Sequence, residues 1–301
     1  MQRDTHQIER RFIVALVLTG LILVAEVAGG VLTGSLALLS DAAHIFLDML
    51  ALALSFAALR VAARPADDRH TYGFHRFQVL AALANGATLV VVAFGIFREA
   101  IQRFSEPEPV LAGPMLVVAV AGLIINLVVA RSLHDHDHDD LNVRSAFLHV
   151  LGDALSSLGV IIAGVVMLLT GWTLADPIAS IVIGFVILVG SGRVLREALH
   201  ILVEGTPAGL NPLDIAGAMR SDPHVLDVHD LHVWTVSPGY LALSAHVVVE
   251  DRLLGEAQAL QEDLRRMLAT RFSIRHSTLQ MECLTCEGSC GQGVLACARD
   301  A

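Results

Sequence analysis

Six runs of apolar residues dominate the first two thirds of the chain, at roughly 12–32, 36–59, 78–100, 111–133, 145–170 and 177–199. A helix needs about 20 such residues to cross the ~30 Å hydrocarbon core of a bilayer, where the backbone must satisfy its own hydrogen bonds. The runs therefore predict six membrane-spanning helices, with both chain ends on one side. Composition agrees, since 54% of the 301 residues are hydrophobic and 17% are charged, against about 25% charged in soluble domains. The first run is too long for the apolar part of a cleavable signal, and further spans follow it, so it reads as a span.

Arginines orient the spans. Arg3, Arg10 and Arg11 precede the first, and Arg60, Arg64, Arg69 and Arg76 lie between the second and third. Arg131 and Arg144 flank the loop between the fourth and fifth, and Arg193 and Arg196 close the sixth. The opposite loops are poor in arginine, apart from Arg98 and Arg103. Basic loops stay on the cytoplasmic side, so both termini are expected there. Every basic residue is Arg, a bias of GC-rich genomes that suggests a prokaryote and hence a multi-pass protein of the inner (cytoplasmic) membrane. The net charge of −10 and the lack of a basic stripe argue against a nucleic-acid partner.

Beyond about residue 203 the hydropathy falls to ordinary values. Asn211-Pro212 suits a helix start, His224–Val236 and Tyr240–Glu250 alternate as strands around Ser237-Pro238-Gly239, Gly255–Thr270 reads as a helix and Ser273–Glu282 as a last strand. The order α-β-β-α-β fits a ferredoxin-like two-layer α+β fold. The expected domains are a six-helix transmembrane transport domain at 1–203, a cytoplasmic α+β domain at 204–285 and a Cys-containing tail at 286–301.

Ionisable residues inside a span are costly and are functional candidates for that reason. The second span carries His44-x-x-x-Asp48 and the fifth carries His149-x-x-x-Asp153. Four residues apart on a helix puts each pair on one face. Two such faces opposed supply two imidazoles and two carboxylates, a set suited to tetrahedral Zn²⁺. The carboxylates offset the ion's charge, and the absence of thiolate leaves it releasable. Imidazole also suits Co, Ni and Cu, whereas Mg and Ca prefer oxygen alone. Asp41, one turn before His44, is placed to orient that ring. Metal binding requires neutral His and ionised Asp, so protons compete with metal, and opposed movement of the two would be antiport. The segments Ser40–Asp48 and Ala146–Asp153 echo each other across three spans, as in inverted-repeat transporters. Glu26, Asn85 and Asn126 are further polar residues within spans; they read as lining a cavity or as hydrogen bonds between helices.

These residues resemble the cation diffusion facilitator family, in its zinc-transporting bacterial branch. The likeness spans roughly 10–285. It rests on Ser40-Asp41-Ala42-Ala43-His44 with Asp48, His70-Thr71-Tyr72-Gly73-Phe74-His75-Arg76, Ala84-Asn85-Gly86, His149-Val150-Leu151-Gly152-Asp153 and His229-Asp230-Leu231-His232-Val233-Trp234. The resemblance implies a homodimer, cation/proton antiport, a cytoplasmic metallochaperone-like domain, and a preference for Zn and Cd where His opens the ligand set. It implies a peripheral loop site at Asp67, Asp68, His70 and His75, although the two His stand five apart here and four in the best-known pattern. His229 and His246 match ligand positions of the family's soluble domain. There Gln280 stands where another His is usual, so the site is either incomplete or uses His232 or Glu282 instead; zinc there would be a structural ion. A charge pair tying membrane and soluble parts would fall near Arg76 and Glu204.

Two further segments have metal-compatible chemistry. His134, His136 and His138 alternate with Asp in a loop that can gather metal weakly, or be a solvated charge run. Cys283-x-x-Cys286 with Cys290 reads either as reduced thiols in a cytosolic tail or as a soft-metal trap. A membrane metalloenzyme is disfavoured, since no His-Glu-x-x-His is present and four protein ligands leave no open position for water. The expectation is therefore a transporter, not an enzyme. A membrane-anchored metal sensor is the alternative, but it has no need of matched ligands within the spans.

Overall fold

A computed structural model describes residues 2–134 and 141–283; for 2–15, 132–134 and 141–150 it gives only their place in a helix. Six long helices come first: α1 Gln2–Thr33, α2 Leu36–Ala62, α3 Phe77–Ser105, α4 Ala112–His134, α5 Leu141–Thr170 and α6 Ala175–Leu202. Each holds a window long and apolar enough to cross a membrane. Their outward faces carry large exposed apolar side chains, among them Val24, Phe94, Ile124, Val182 and Phe185. Such faces are at home against lipid tails, which are as apolar as they are.

The chain divides into two compact units, Met1–Leu54 with Ala84–Leu195, and Ser55–Leu83 with Arg196–Ala301. In the first, α4 packs along both α1 and α5. Its core joins Leu38 and Leu47 of α2, Leu89 and Ile96 of α3, Met115 of α4, Val160 and Met167 of α5 and Ile187 of α6. Small residues in that core, Ala37, Ala93, Ala119 and Ala163, allow the close backbone approach that helices in lipid rely on.

One end of this unit is closed by a buried polar knot. Asp176, at the start of α6 and fully buried, accepts hydrogen bonds from Ser35 Oγ at 2.6 Å and from the backbone N–H groups of Leu36 at 2.8 Å and Ala37 at 3.3 Å. These are the first, unpaired donors of α2, so a carboxylate from another helix caps it. Arg103 of α3 is buried too, bonds the carbonyl of Gly34 at 2.6 Å and pairs with Glu108 at 2.9 Å and Asp176 at 3.5 Å. Gly34 itself sits at φ 71°, in the left-handed region that favours glycine. Arg103, one of the two arginines on the arginine-poor side, is thus a neutralised structural charge.

The second unit holds the soluble fold: α7 Pro212–Arg220, β1 Val225–Ser237, β2 Tyr240–Val249, α8 Leu254–Phe272 and β3 His276–Cys283. The sheet runs β1-β2-β3, with β1 and β2 antiparallel and β2 and β3 parallel, as a helical crossover through α8 requires. The Asn211 side chain caps α7 by accepting the Leu213 N–H at 3.0 Å, with Pro212 in the first turn. The β1–β2 hairpin closes over Pro238-Gly239, with Gly239 at φ 79°. Ile215, Met219, Leu260, Leu264, Leu268 and Ile274 bury against Val228, Leu243, Val247 and Leu279 of the sheet. The chain is thus an α-helical membrane protein with six candidate spans and a C-terminal α+β domain.

Within the same unit, the connection between α2 and α3 meets the soluble fold. Tyr72 stands edge-on to His276, with ring centroids 5.3 Å apart, and His75 edge-on to Tyr240 at 5.0 Å. Arg76 donates to Glu204 Oε1 at 3.0 Å, so this sequence-nominated pair does meet, though both side chains are well exposed.

Candidate metal sites

The span site is built from helix periodicity and then from packing. His44 and Asp48 occupy one face of α2, roughly 12–18 Å along the helix from Leu36 at 1.5 Å per residue. In a ~30 Å core that is close to mid-depth. Asp153 of α5 comes to the same place. His44 Nε2 lies 3.6 Å from Asp48 Oδ2 and 3.9 Å from Asp153 Oδ1. One ligand atom from each of the three falls within 4.8 Å of the others. Zinc held at about 2.0–2.2 Å puts tetrahedral ligand atoms roughly 3.4 Å apart, so a small contraction closes the set on an ion. Asp153 is buried, while His44 and Asp48 are partly exposed. His149 belongs to α5 one turn before Asp153, and its side chain lies outside the described residues.

Asp41 is buried at 1% exposure, and its Oδ2 accepts a hydrogen bond from Ser157 Oγ at 3.2 Å. This bond ties α2 to α5, the two helices that carry the His-x-x-x-Asp pairs. Ser157 escaped the sequence reading, although it stands four residues beyond Asp153 and so on the same face.

A second cluster lies on the soluble sheet. His229 pairs across the ladder with His246, which pairs in turn with Gln280. His229 Nε2 is 3.0 Å from Glu282 Oε2, and His246 Nδ1 is 2.8 Å from Glu282 Oε1, so one carboxylate bridges two imidazoles. Gln280 donates to Glu282 Oε1 at 2.8 Å and holds that carboxylate. Of the two residues proposed to complete this site, Glu282 is the one brought to it. The strand has a bulge between His229 and His232, where Asp230 sits at φ 48°, a conformation Asp tolerates. The bulge leaves Asp230 3.1 Å from His232 and 3.7 Å from His246. His232, half exposed, is therefore engaged by Asp230 and stands outside the ligand group.

The loop residues do not converge in the same way. Asp67 Oδ1 accepts the backbone N–H groups of Arg69 and His70, at 2.9 and 2.6 Å, and faces His70 Nδ1 at 2.9 Å. The bond with the His70 side chain, first, and the two backbone donors hold the Asp67 carboxyl below its ordinary pKa. His75 rests on Tyr240 instead, and Asp68 joins no group of three ligand side chains among the described residues. His134 ends α4, with its side chain outside the described residues, as are His136, His138, Cys286 and Cys290 altogether; Cys283 ends β3.

Comparison with known proteins gives the same picture over almost the whole chain. Residues 12–203 match the family model described as the cation efflux transmembrane domain, and residues 211–283 match the cation efflux protein, cytoplasmic domain. The metal cation efflux system protein CzcD of Cupriavidus metallidurans is 42% identical over 93% of this chain and 88% of its own length. The zinc transporter ZitB of Escherichia coli is 41% identical over 93% and 89%. The cadmium, cobalt and zinc/H(+)-K(+) antiporter of Bacillus subtilis is 38% identical over 89% and 86%. Among solved structures, the metal-bound C-terminal domain of the CzcD transporter is 34% identical, with a TM-score of 0.22, over 24% of this chain and 99% of that one. With both domain models matched in order on six spans and a soluble α+β domain, the chain belongs to the cation efflux family, the cation diffusion facilitators.

Proposed function

We propose that this protein exports zinc from the cytoplasm in exchange for protons, by alternating access around a single site within the membrane. The observation that carries the reading is the approach of His44, Asp48 and Asp153, from two separate spans, to within 4.8 Å. His149 is the fourth ligand in this reading, since one turn separates it from Asp153 as one turn separates His44 from Asp48. Two carboxylates neutralise the divalent cargo, and two imidazoles favour zinc, cadmium or cobalt over magnesium and calcium. The relatives, named as a metal cation efflux protein, a zinc transporter and a cadmium, cobalt and zinc antiporter, support the same class of cargo.

The coupling follows from the donors. On the cytoplasmic side metal displaces protons from the ligands, and after release outside protons reoccupy them, because His binds metal only when neutral and Asp only when ionised. Asp41, locked to Ser157, keeps the face of α2 that bears His44 against α5. On the soluble domain His229, His246 and Glu282 would hold a structural zinc ion; two imidazoles and a carboxylate suit that metal.

Both termini face the cytoplasm of a prokaryotic cell in this reading, with the transport domain at 1–203 and the metallochaperone-like domain at 204–285. The family model for the soluble domain supports a homodimer built through it. The Arg76–Glu204 pair would act as a tie between membrane and soluble segments. The sensor reading is not favoured, because the ligand set lies inside the spans and the relatives are efflux proteins.

The direct test is metal uptake into proteoliposomes under a pH gradient, comparing Zn, Cd, Co, Ni and Fe. Wild type should accumulate zinc with the lumen acidic, and Asp48→Ala should not. Uptake indifferent to the gradient would sink the exchange, and uptake intact in Asp48→Ala would sink the site.

A further inference from the structure

A second polar chamber lies beside the metal ligands. Glu26 of α1 is 1% exposed, and neither of its carboxyl oxygens has a hydrogen-bond partner. α4 makes room for it with glycine, since a Cβ at Gly122 would stand 2.9 Å from Glu26 Oε1. The same Cβ position is 3.9 Å from Ser157 Oγ, the hydroxyl bonded to Asp41. Asp41 Oδ1 is buried without a partner, and so is Asn126 Nδ2, one turn beyond Gly122 on α4. Four helices thus contribute to the chamber: Glu26 from α1, Asp41 from α2, Asn126 from α4 and Ser157 from α5. Asp41 joins this group through Ser157, and Asp153 stands one turn before Ser157 on α5, so the neighbouring charges are acidic. Among the described residues no basic side chain is paired with Glu26 or Asp41, while Asp153 faces His44.

Two buried carboxyls with no cation between them cannot both be ionised, because burial and mutual repulsion each oppose it. The charge that completes such a chamber is a proton. We propose that Glu26 is a proton-carrying residue of the transport cycle, separate from the metal ligands and coupled to them through Asp41 and Asp153. With no metal bound, the Glu26 carboxyl is protonated. A divalent ion arriving on Asp153 cancels the negative charge that opposed ionisation of Glu26. The carboxyl O–H bond then breaks, its electron pair stays on oxygen, and the proton leaves past Ser157 and Asp41 to water on the cytoplasmic side. When the metal leaves outside, a proton from that side restores the acid. Ser157 and Asn126 position the two carboxyls. This proposal rests on the antiport reading.

The test uses full-length wild type and Glu26→Gln, an isosteric change that cannot lose a proton. Both are reconstituted with the membrane potential clamped and the lumen one pH unit more acidic than the bath. Each exchanged proton multiplies the steady-state zinc ratio about tenfold per pH unit. Glu26→Gln should therefore accumulate zinc about tenfold less than wild type, and calorimetric titration of the two proteins should give the same zinc stoichiometry. An equal dependence on the gradient in both proteins overturns the proposal. A zinc ion lost from the stoichiometry in Glu26→Gln also overturns it, since the chamber would then bind metal, and so does complete loss of zinc binding, which would mark a structural role. Wild type unresponsive to the gradient is a different failure: it removes the antiport reading itself, and the proposal with it.

Discussion

Asp153 and Asp67 are both carboxylates facing an imidazole, yet burial gives them different work. Asp153 is buried and shares His44 with Asp48, so in the proposed site removing its charge would leave a divalent ion short of one neutralising ligand. Asp153→Asn is expected to lower zinc transport by at least about tenfold, of the order seen when the support of metal ligands is lost, while the thermal unfolding of the metal-free protein barely moves. Uptake and melting measured on the same preparation check both halves. Asp67 lies open to solvent and stabilises only its own turn, through the His70 side chain and the N–H groups of Arg69 and His70. Its folded pKa is depressed, so the stabilisation is complete above the ordinary carboxylate value of about 3.9 and is lost as pH falls through the depressed value. Amide exchange at Arg69 and His70, corrected for intrinsic rates, should keep its protection at neutral pH and lose it in acid. In Asp67→Asn it should show no such step.

At the scale of elements, the start of α2 governs the proposed metal site because His44 lies little more than two turns beyond it. That start is held by Ser35 and by Asp176 of α6, itself facing the buried Arg103. Asp176→Asn weakens the cap and leaves Arg103 with Glu99, Glu108 and the Gly34 carbonyl, having lost its one fully buried partner. Hydrogen bonds to a charged group are worth about 1.5–3 kcal/mol, so thermal unfolding in detergent should show a destabilisation of that size. Ser35→Ala should cost about 1 kcal/mol, as for an ordinary helix cap. A similar loss for both variants would mean that the Arg103 pairing contributes nothing beyond the cap. The spans themselves were legible from hydropathy, and α2 begins at the residue the apolar run begins on. Asp176 was legible only as a lone charge in a short loop, since nothing local marks it as a cap for a helix 140 residues away.

At the scale of the whole molecule, the compact units do not break at the ends of the candidate spans. Ser55–Leu83, the ends of α2 and α3 with their connection, cluster with the chain after Arg196. Ring contacts of Tyr72 with His276 and of His75 with Tyr240 account for part of that grouping. The exposed Arg76–Glu204 pair adds at most about 1 kcal/mol, and Glu204→Gln should change stability by no more than that. The soluble domain offers a sharper measurement. If His229, His246 and Glu282 hold zinc, free zinc at a hundred times the dissociation constant stabilises the fold by about 2.7 kcal/mol. Amide exchange in β1–β3 of the full-length protein should slow accordingly with zinc and should not respond in His246→Ala.

Six spans, an α-β-β-α-β tail and two His-x-x-x-Asp faces are properties of the sequence by itself. Hydropathy adds up locally, and helical periodicity places residues four apart on one face whatever surrounds them. Which of those faces meet, and what else they meet, was decided by packing. Ser157 reaches Asp41 from 116 residues away, Asp176 caps α2 from 140, and Glu282 joins His229 from 53. In the soluble sheet a one-residue bulge leaves His232 with Asp230, and pairing across the ladder leaves His246 with Glu282. Local spacing supplies ligands of the right chemistry; only the register of strands and the close approach of helices choose which of them can share an ion.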